Sequence, residues 1–306
     1  MSYIYDALLR AERERQNQPP ERDDRKAPAV PSEPALPRPP EEFDADSAPI
    51  AQYAWSPFLP SFPTLAKHGG GLEQFRSLRS HIYQARNETR LKTILVSSGM
   101  PSEGKSFVTA NLAMSLARNS GNRTLLIDGD LRRPSLHMLL GAPNDVGLAD
   151  YLAGTAELHA IMQRYSDESA NGAGGIPDLA NLTFIPTGTI HQNASELISN
   201  RRIKDLISTL SASFDWILID SPPALVFADA VDLARAADAV LLVVRGARTT
   251  YEVAQRAKTS FANSQILGVV LNDIKNPPRR ESYYDYYYGR KDAKESATEA
   301  SEQEAQ

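Results

Sequence analysis

The chain has 306 residues, is 42% hydrophobic and carries a formal charge of −5, enough apolar material for one α/β domain of a little over ~200 residues. The acidic balance argues against a broad nucleic-acid-binding surface. The absence of cysteine rules out disulfides, thiolate metal sites and a cysteine nucleophile. No apolar run approaches the roughly 18–20 residues that a bilayer crossing needs, and the polar start does not read as a secretory signal. The expectation is a cytoplasmic protein that meets a membrane only through a partner or a surface helix.

In chain order, residues 1–16 open with a short amphipathic helix over 2–16, with Ile4, Leu8 and Ala11 on one stripe and Ser2 as cap. Residues 17–68 are rich in Pro, Glu, Asp and Arg, and read as an extended, disordered linker. Residues 69–275 form the body, and 276–306 a flexible polar tail. The body begins with a helix in which Leu72, Phe75, Leu78/Arg79 and Ile82 face inward. Glu73, Arg76 and Arg79 recur every three residues and so share roughly one face. Taken alone, an E-x-x-R-x-x-R run is more often a solvated charged stripe.

The most informative stretch follows. The apolar strand Thr93 to Val96 enters Gly99-Met100-Pro101-Ser102-Glu103-Gly104-Lys105-Ser106, and a helix-forming run begins at once. Strand, G-x-x-x-x-G-K-S loop and helix is the order a phosphate-binding P-loop requires. Gly99 and Gly104 let the loop turn its N–H groups onto phosphate oxygens, and the helix N-terminus adds positive potential. Lys105 reaches the β/γ-phosphates and the Ser106 hydroxyl suits Mg²⁺.

Strands are predicted at 93–97, 123–127, 182–186, 215–219, 239–244 and 266–271, with helices at 105–118, 194–212, 226–236 and 249–262. Buried apolar runs separated by helices imply parallel strands joined by right-handed crossovers. Residues 166–180 read as a Gly-rich mobile insert. Two strand ends carry carboxylates: Asp128-Gly-Asp130-Leu-Arg132-Arg133-Pro134, and Asp220-Ser-Pro-Pro223. Ligands of open α/β sheets bind beyond such carboxyl ends, and magnesium takes one or two carboxylates plus water. Asn272, after the last strand, is a candidate reader of a purine edge, or simply a turn residue. Five tyrosines, Tyr283, Tyr284, Tyr286, Tyr287 and Tyr288, crowd the tail around Asp285. A sticky aromatic patch is the plain alternative to a functional role for them.

These motifs resemble those of the bacterial protein-tyrosine kinases (BY-kinases). Asp128-x-Asp130-x-Arg132-Arg133-Pro134 is similar to their second Walker motif, and Leu218-Ile-Asp220-Ser-Pro-Pro223 to their Walker B. Asn193-Ala-Ser-Glu-Leu197 resembles a further family motif, with Ala194 where proline is usual. The opening MSYIYDALLRAERER looks like the autokinases of exopolysaccharide and exosortase systems. MinD/ParA ATPases share the P-loop and Walker B, but usually place lysine where Met100 stands and lack the D-x-D-x-R-R-P run.

The resemblance implies a MinD/ParA-like α/β P-loop NTPase fold with a doubly wound, mostly parallel sheet. It implies an ATP- and Mg²⁺-dependent tyrosine autokinase that phosphorylates the five tail tyrosines in trans within a ring. It assigns Asp128 as base, with Ser106, Asp130 and Asp220 at the metal, although the residue types leave the reverse division of Asp128 and Asp130 open. It assigns Glu73, Arg76 and Arg79 to subunit contact. Implied partners are other copies of the chain, a transmembrane polysaccharide chain-length regulator as activator, and a cognate tyrosine phosphatase. The competing readings are a MinD/ParA-type partitioning or localisation ATPase with water as nucleophile, and a scaffold without turnover.

Overall fold

The computed structural model describes residues 43–66, 69–119, 121–166, 176, 179–189, 194–199, 202–246 and 248–274. All belong to the compact unit that starts at Pro40. The predicted helix at 2–16, the tyrosine cluster and most of the Gly-rich insert fall outside the described residues.

Eight strands form one sheet: β1 (Ala51–Tyr53), β2 (Thr93–Ser98), β3 (Thr124–Asp128), β4 (Gln163–Tyr165), β5 (Leu182–Ile185), β6 (Trp216–Asp220), β7 (Ala239–Arg245) and β8 (Ile266–Asn272). Their order is β1-β4-β5-β3-β6-β2-β7-β8. Every pairing is parallel except β4 with β5. Each of the six predicted strands is present, with its ends moved by no more than one residue. They were legible because β2, β3, β5 and β6 are buried along their whole length, and such strands read as continuous Val/Ile/Leu runs.

Side-chain alternation sorts those runs between two cores. Leu95, Leu125, Ile127, Ile217, Ile219 and Leu242 pack on one face. Ile94, Val96, Leu126, Leu218, Leu241 and Val243 pack on the other. The helices α1 (Gly70–Glu88) and α2 (Lys105–Ala117) cover the second face. Phe75 and Ile82 anchor α1 there, and Leu72 is buried with them along the helix, as their spacing predicts. The other helices are α3 (Leu136–Leu140), α4 (Leu148–Ala153), α5 (Ala194–Ser199), α6 (Arg202–Leu210), α7 (Asp229–Ala234) and α8 (Tyr251–Ser260). The single helix expected at 194–212 is thus two, α5 and α6. The helix expected at 226–236 is shorter, because Val226 and Phe227 close a turn on the Pro223 carbonyl before α7 begins.

One domain boundary is corrected. The segment 17–68 is not a linker throughout, because residues 43–66 pack on the body. Trp55 is 5% exposed and Phe62 1%, and the Trp55 indole donates to Gln163 Oε1 at 3.1 Å. β1 extends the sheet beside β4. Sparse anchors (Ile50, Trp55, Phe62) do this within a proline-rich segment whose average composition resembles that of a disordered chain. β4 itself escaped prediction because it is three residues long and its side chains are partly exposed.

Candidate active site

The sheet places the site. From β2 the chain crosses to β3 on one side of β6, and from β6 it passes to β7 on the far side of β2. The crevice at that switch of direction lies beyond the carboxyl ends of β2, β3 and β6, where ligands of such sheets bind. It receives the P-loop from β2, Asp128 and Asp130 from β3, and Asp220 from β6. Asp128 and Asp220 stand side by side as register partners on adjacent strands.

The P-loop is braced from outside. Gly104 has φ +92°, and a Cβ there would lie 1.9 Å from Asn272 Nδ2, so only glycine fits. Asn272 Nδ2 donates to the Glu103 carbonyl at 3.0 Å. In this structure Asn272 holds the loop's backbone, a role its sequence position did not reveal. The Glu103 side chain is 3% exposed and turns back to accept from the Met100 N–H at 2.7 Å and from the Thr249 hydroxyl. Arg245 donates to the Ser102 carbonyl at 3.1 Å and pairs with Asp273. Pro101 and Ser102 complete the turn, Ser102 in the left-handed region at φ 63°. Thr249 and Arg245 carried no sequence signal, since the loop residues they meet lie more than 100 residues away in the chain, and Asp273 enters only through Arg245.

Inside the crevice the charges face one another. Lys105 Nζ lies 3.2 Å from Asp130 Oδ2. Burial alone would depress this ammonium, but the carboxylates of Asp220 and Asp130 outweigh it and hold its pKa above the ordinary value. Asp220 accepts from Ser106 Oγ at 2.5 Å and from Thr109 Oγ1 at 3.3 Å. Burial pushes its carboxyl up to about 6, with Lys105 pulling the other way. Asp128 is fully buried. Its oxygens accept the N–H groups of Asp130, Ser135 and Leu136 at 3.3, 3.1 and 3.0 Å. Burial, and then the neighbouring Asp220, push it up to about 8. Asp130 is steadied by the N–H groups of Arg132 and Arg133 on Oδ1, which leaves Oδ2 toward Lys105. The Arg132 guanidinium is tied to Asp229 at 2.7 Å, and Ser195 of the Asn193–Leu197 motif donates to the same carboxylate at 2.8 Å.

This oxygen-only set of Ser106, Asp130 and Asp220 suits a hard cation. The buried carboxyls of Asp128 and Asp220, both with raised proton affinity, mark a place where positive charge is wanted. Among the described residues no three acidic or histidine side chains converge as a protein-only metal cage. The three α1 residues lie elsewhere. Glu73 and Arg76 pair with each other at 2.6 Å in the open, while Arg79 turns inward to the Ser115 carbonyl of α2 at 2.6 Å.

The model of the CobQ/CobB/MinD/ParA nucleotide-binding domain matches residues 94–293. The tyrosine-protein kinase YwqD of Bacillus subtilis is 34% identical over 222 residues, covering 72% of this chain and 87% of that one. The tyrosine-protein kinase wzc of Salmonella typhimurium is 35% identical over 71% of this chain, but the match spans only 28% of that much longer protein. The solved kinase domain of Escherichia coli tyrosine kinase ETK superposes with a TM-score of 0.60 at 27% identity, covering 80% of this chain and 98% of that one. Among the described residues no helix is long and apolar enough to cross a membrane. No observation favours the partitioning-ATPase alternative. With its P-loop, paired strand-end aspartates and D-x-D-x-R-R-P run in one crevice, the chain belongs to the bacterial tyrosine-protein kinases within the CobQ/CobB/MinD/ParA nucleotide-binding family.

Proposed function

We propose that this chain is an ATP- and Mg²⁺-dependent protein-tyrosine autokinase. It phosphorylates Tyr283, Tyr284, Tyr286, Tyr287 and Tyr288 in trans within a ring of like subunits, and so regulates exopolysaccharide chain length or export. The observation that carries this reading is the convergence of Lys105, Ser106, Asp128, Asp130 and Asp220 in one crevice, in a chain whose tail holds five tyrosines.

Phosphoryl transfer needs positioning and charge neutralisation more than covalent help. The loop N–H groups from Gly99 to Lys105 would cradle the phosphates, and Lys105 would exchange Asp130 for the β/γ-phosphate oxygens. Ser106, Asp130 and Asp220 would hold Mg²⁺, which when bound neutralises the charge building on those oxygens. A tyrosine hydroxyl, with an ordinary pKa near 10, needs a proton acceptor. Asp128, whose proton affinity is the most strongly raised in the crevice, takes that role. For this the 130–136 turn must yield one of the oxygens it now covers. Asn272 remains the candidate contact to the base of the nucleotide, because its amide sits where the P-loop meets the end of β8.

The Glu73-x-x-Arg76-x-x-Arg79 stripe is proposed as the contact between subunits. A transmembrane chain-length regulator would act as activator, holding the protein at the inner face of the membrane. A cognate tyrosine phosphatase would reset the tail. The test is a single incubation of purified protein with ATP and Mg²⁺ in which ADP release and phosphotyrosine are both counted, with and without the activator's cytoplasmic segment. Phosphotyrosine within 283–288 in step with ADP is the expected result. ADP without phosphotyrosine would replace the kinase by an ATPase.

A further inference from the structure

Tyrosines in a folded chain bury the ring or tie down the hydroxyl. Tyr83 and Tyr165 accept hydrogen bonds on their hydroxyls, the Tyr151 ring lies under the Arg202 guanidinium, and Tyr53 belongs to β1. Tyr251 departs from this pattern. It is 77% exposed, and among the described residues nothing partners its hydroxyl. It is also the first residue of α8, and the chain enters it from Thr250 in an extended conformation, φ −75° and ψ 159°. The first N–H groups of a helix have no partner within it, and helix ends fray. A short extended stretch around Tyr251 can therefore enter an active site without unfolding the body. Glu252 follows it as Asp285 follows Tyr284 in the tail.

The start of α8 suits the phosphorylated form. A phosphate adds about −1.5 to −2 charges, and a helix N-terminus offers N–H groups and positive potential to an anion. The same place touches the P-loop. Thr249, two residues before Tyr251, donates its hydroxyl to the buried Glu103 carboxylate and accepts the Arg245 N–H at 3.2 Å. Val253 and Ala257 press on the first loop glycine: a Cβ on Gly99 would lie 3.3 Å from Val253 Cγ1 and 3.2 Å from Ala257 Cβ. A dianion at the head of α8 thus cancels positive potential beside a loop that must receive the β/γ-phosphates of ATP.

We propose that Tyr251 is a phosphate acceptor in the body of the protein, modified in trans by another copy of this chain, and that its phosphate weakens nucleotide binding at the adjoining P-loop. The inference rests on the autokinase reading and deepens it by naming a further substrate tyrosine. In the transfer the bond between the γ-phosphorus and the β–γ bridging oxygen of ATP breaks as the Tyr251 oxygen bonds to that phosphorus. ADP leaves, and the hydroxyl proton passes to Asp128 of the acting copy. A modified copy holds ATP less tightly and turns over more slowly when ATP is limiting.

The parent chain and Lys105→Met, purified in parallel, are first dephosphorylated with a tyrosine phosphatase and then incubated with ATP and Mg²⁺, and the phosphate on each tyrosine is counted by mass spectrometry. Phosphate is expected on Tyr251 as well as within 283–288 in the parent, and on neither in Lys105→Met. Phosphate in the tail with Tyr251 unmodified overturns the proposal and leaves the autokinase reading standing; absence of phosphotyrosine everywhere overturns both. The second arm uses the chain with all five tail tyrosines replaced by phenylalanine, so that tail phosphate does not contribute. Its ADP dissociation constant, measured with Mg²⁺ at low ionic strength, should rise at least threefold after incubation with ATP and return on treatment with phosphatase. Tyr251→Phe in that background should keep the unphosphorylated ADP affinity, which shows that it folds, and show no such rise. An unchanged constant in protein that carries phosphate on Tyr251 overturns the link to the P-loop.

Discussion

The crevice between β3 and β6 and the outer flank of α1 both concentrate charge, and the structure treats them in opposite ways. In the crevice Asp128, Asp130 and Asp220 are buried and Lys105 is partly so, and each is fixed by a named partner at 2.5–3.3 Å. On the flank the Glu73–Arg76 pair is about half exposed. Buried charge is costly to leave unpaired and is screened little by salt; exposed charge is cheap to rearrange and strongly screened. The crevice is thus a preorganised site, and the flank, the proposed subunit contact, an exchangeable one. Substitutions in the first should act severely on chemistry, and those in the second mildly and on assembly.

The largest effects belong to the carboxylates. Asp128→Asn, Asp130→Asn and Asp220→Asn keep size and remove charge, and each should cut phosphoryl transfer by on the order of 100-fold or more. If Asp128 is the base, loss of Mg²⁺-dependent nucleotide affinity should follow Asp220→Asn and not Asp128→Asn. Titrating a fluorescent nucleotide at stepped Mg²⁺ separates them, and equal defects in both would refute the division of roles.

Outside the crevice, the largest stability effect concerns the segment before α1. Trp55→Ala should destabilise the fold by about 3–4 kcal/mol, because it opens a cavity beside Phe184 and orphans Gln163. Urea melts decide this; an unchanged midpoint would mean that residues 43–66 are free after all.

A smaller effect comes from pH. The buried carboxyls of Asp220 and Asp128 are raised in the fold to about 6 and about 8. A group whose pKa is raised by folding contributes stability while protonated and loses it as pH climbs through the folded value. The nucleotide-free protein should therefore lose thermal stability as pH rises from about 4, the ordinary carboxylate range, to about 8, and ADP with Mg²⁺ should reduce the slope. Calorimetry across that range tests it; a flat profile would show these carboxyls to be ionised throughout.

The smallest effect lies on the flank. Glu73→Ala/Arg76→Ala/Arg79→Ala should leave the fold and nucleotide affinity nearly unchanged and dissociate the assembly. Multiple phosphorylation of the tail should do the same, and salt should weaken that effect by screening the repulsion between like phosphates. Light scattering at low ionic strength reads both. A mass unchanged in either case breaks the contrast between the two regions.

The contrast also explains what could be read without coordinates. The P-loop from Gly99 to Ser106 and the aspartates at 128, 130 and 220 were legible because each follows a buried apolar strand and is announced by its immediate neighbours. The braces were not. Thr249 meets Glu103 and Asp229 meets Arg132 only through the sheet's crossovers, and neither threonine nor aspartate at a helix start is distinctive. Asn272 was found as a residue but not as a clamp on Gly104, since only tertiary packing puts a strand-end amide against a glycine. Residues 43–66 were misjudged because three apolar anchors are diluted by prolines, and composition averages over what packing selects.

The central claim is that Lys105 acts on phosphate in a reaction whose product is tail phosphotyrosine. Mass spectrometry of the full chain, expressed alone and with the proposed activator, against Lys105→Met prepared in parallel, tests it most directly. The account predicts phosphate on residues among Tyr283, Tyr284, Tyr286, Tyr287 and Tyr288 in the parent chain, and none in the variant, whose circular dichroism should match the parent. Comparable phosphorylation of a folded Lys105→Met protein would contradict it.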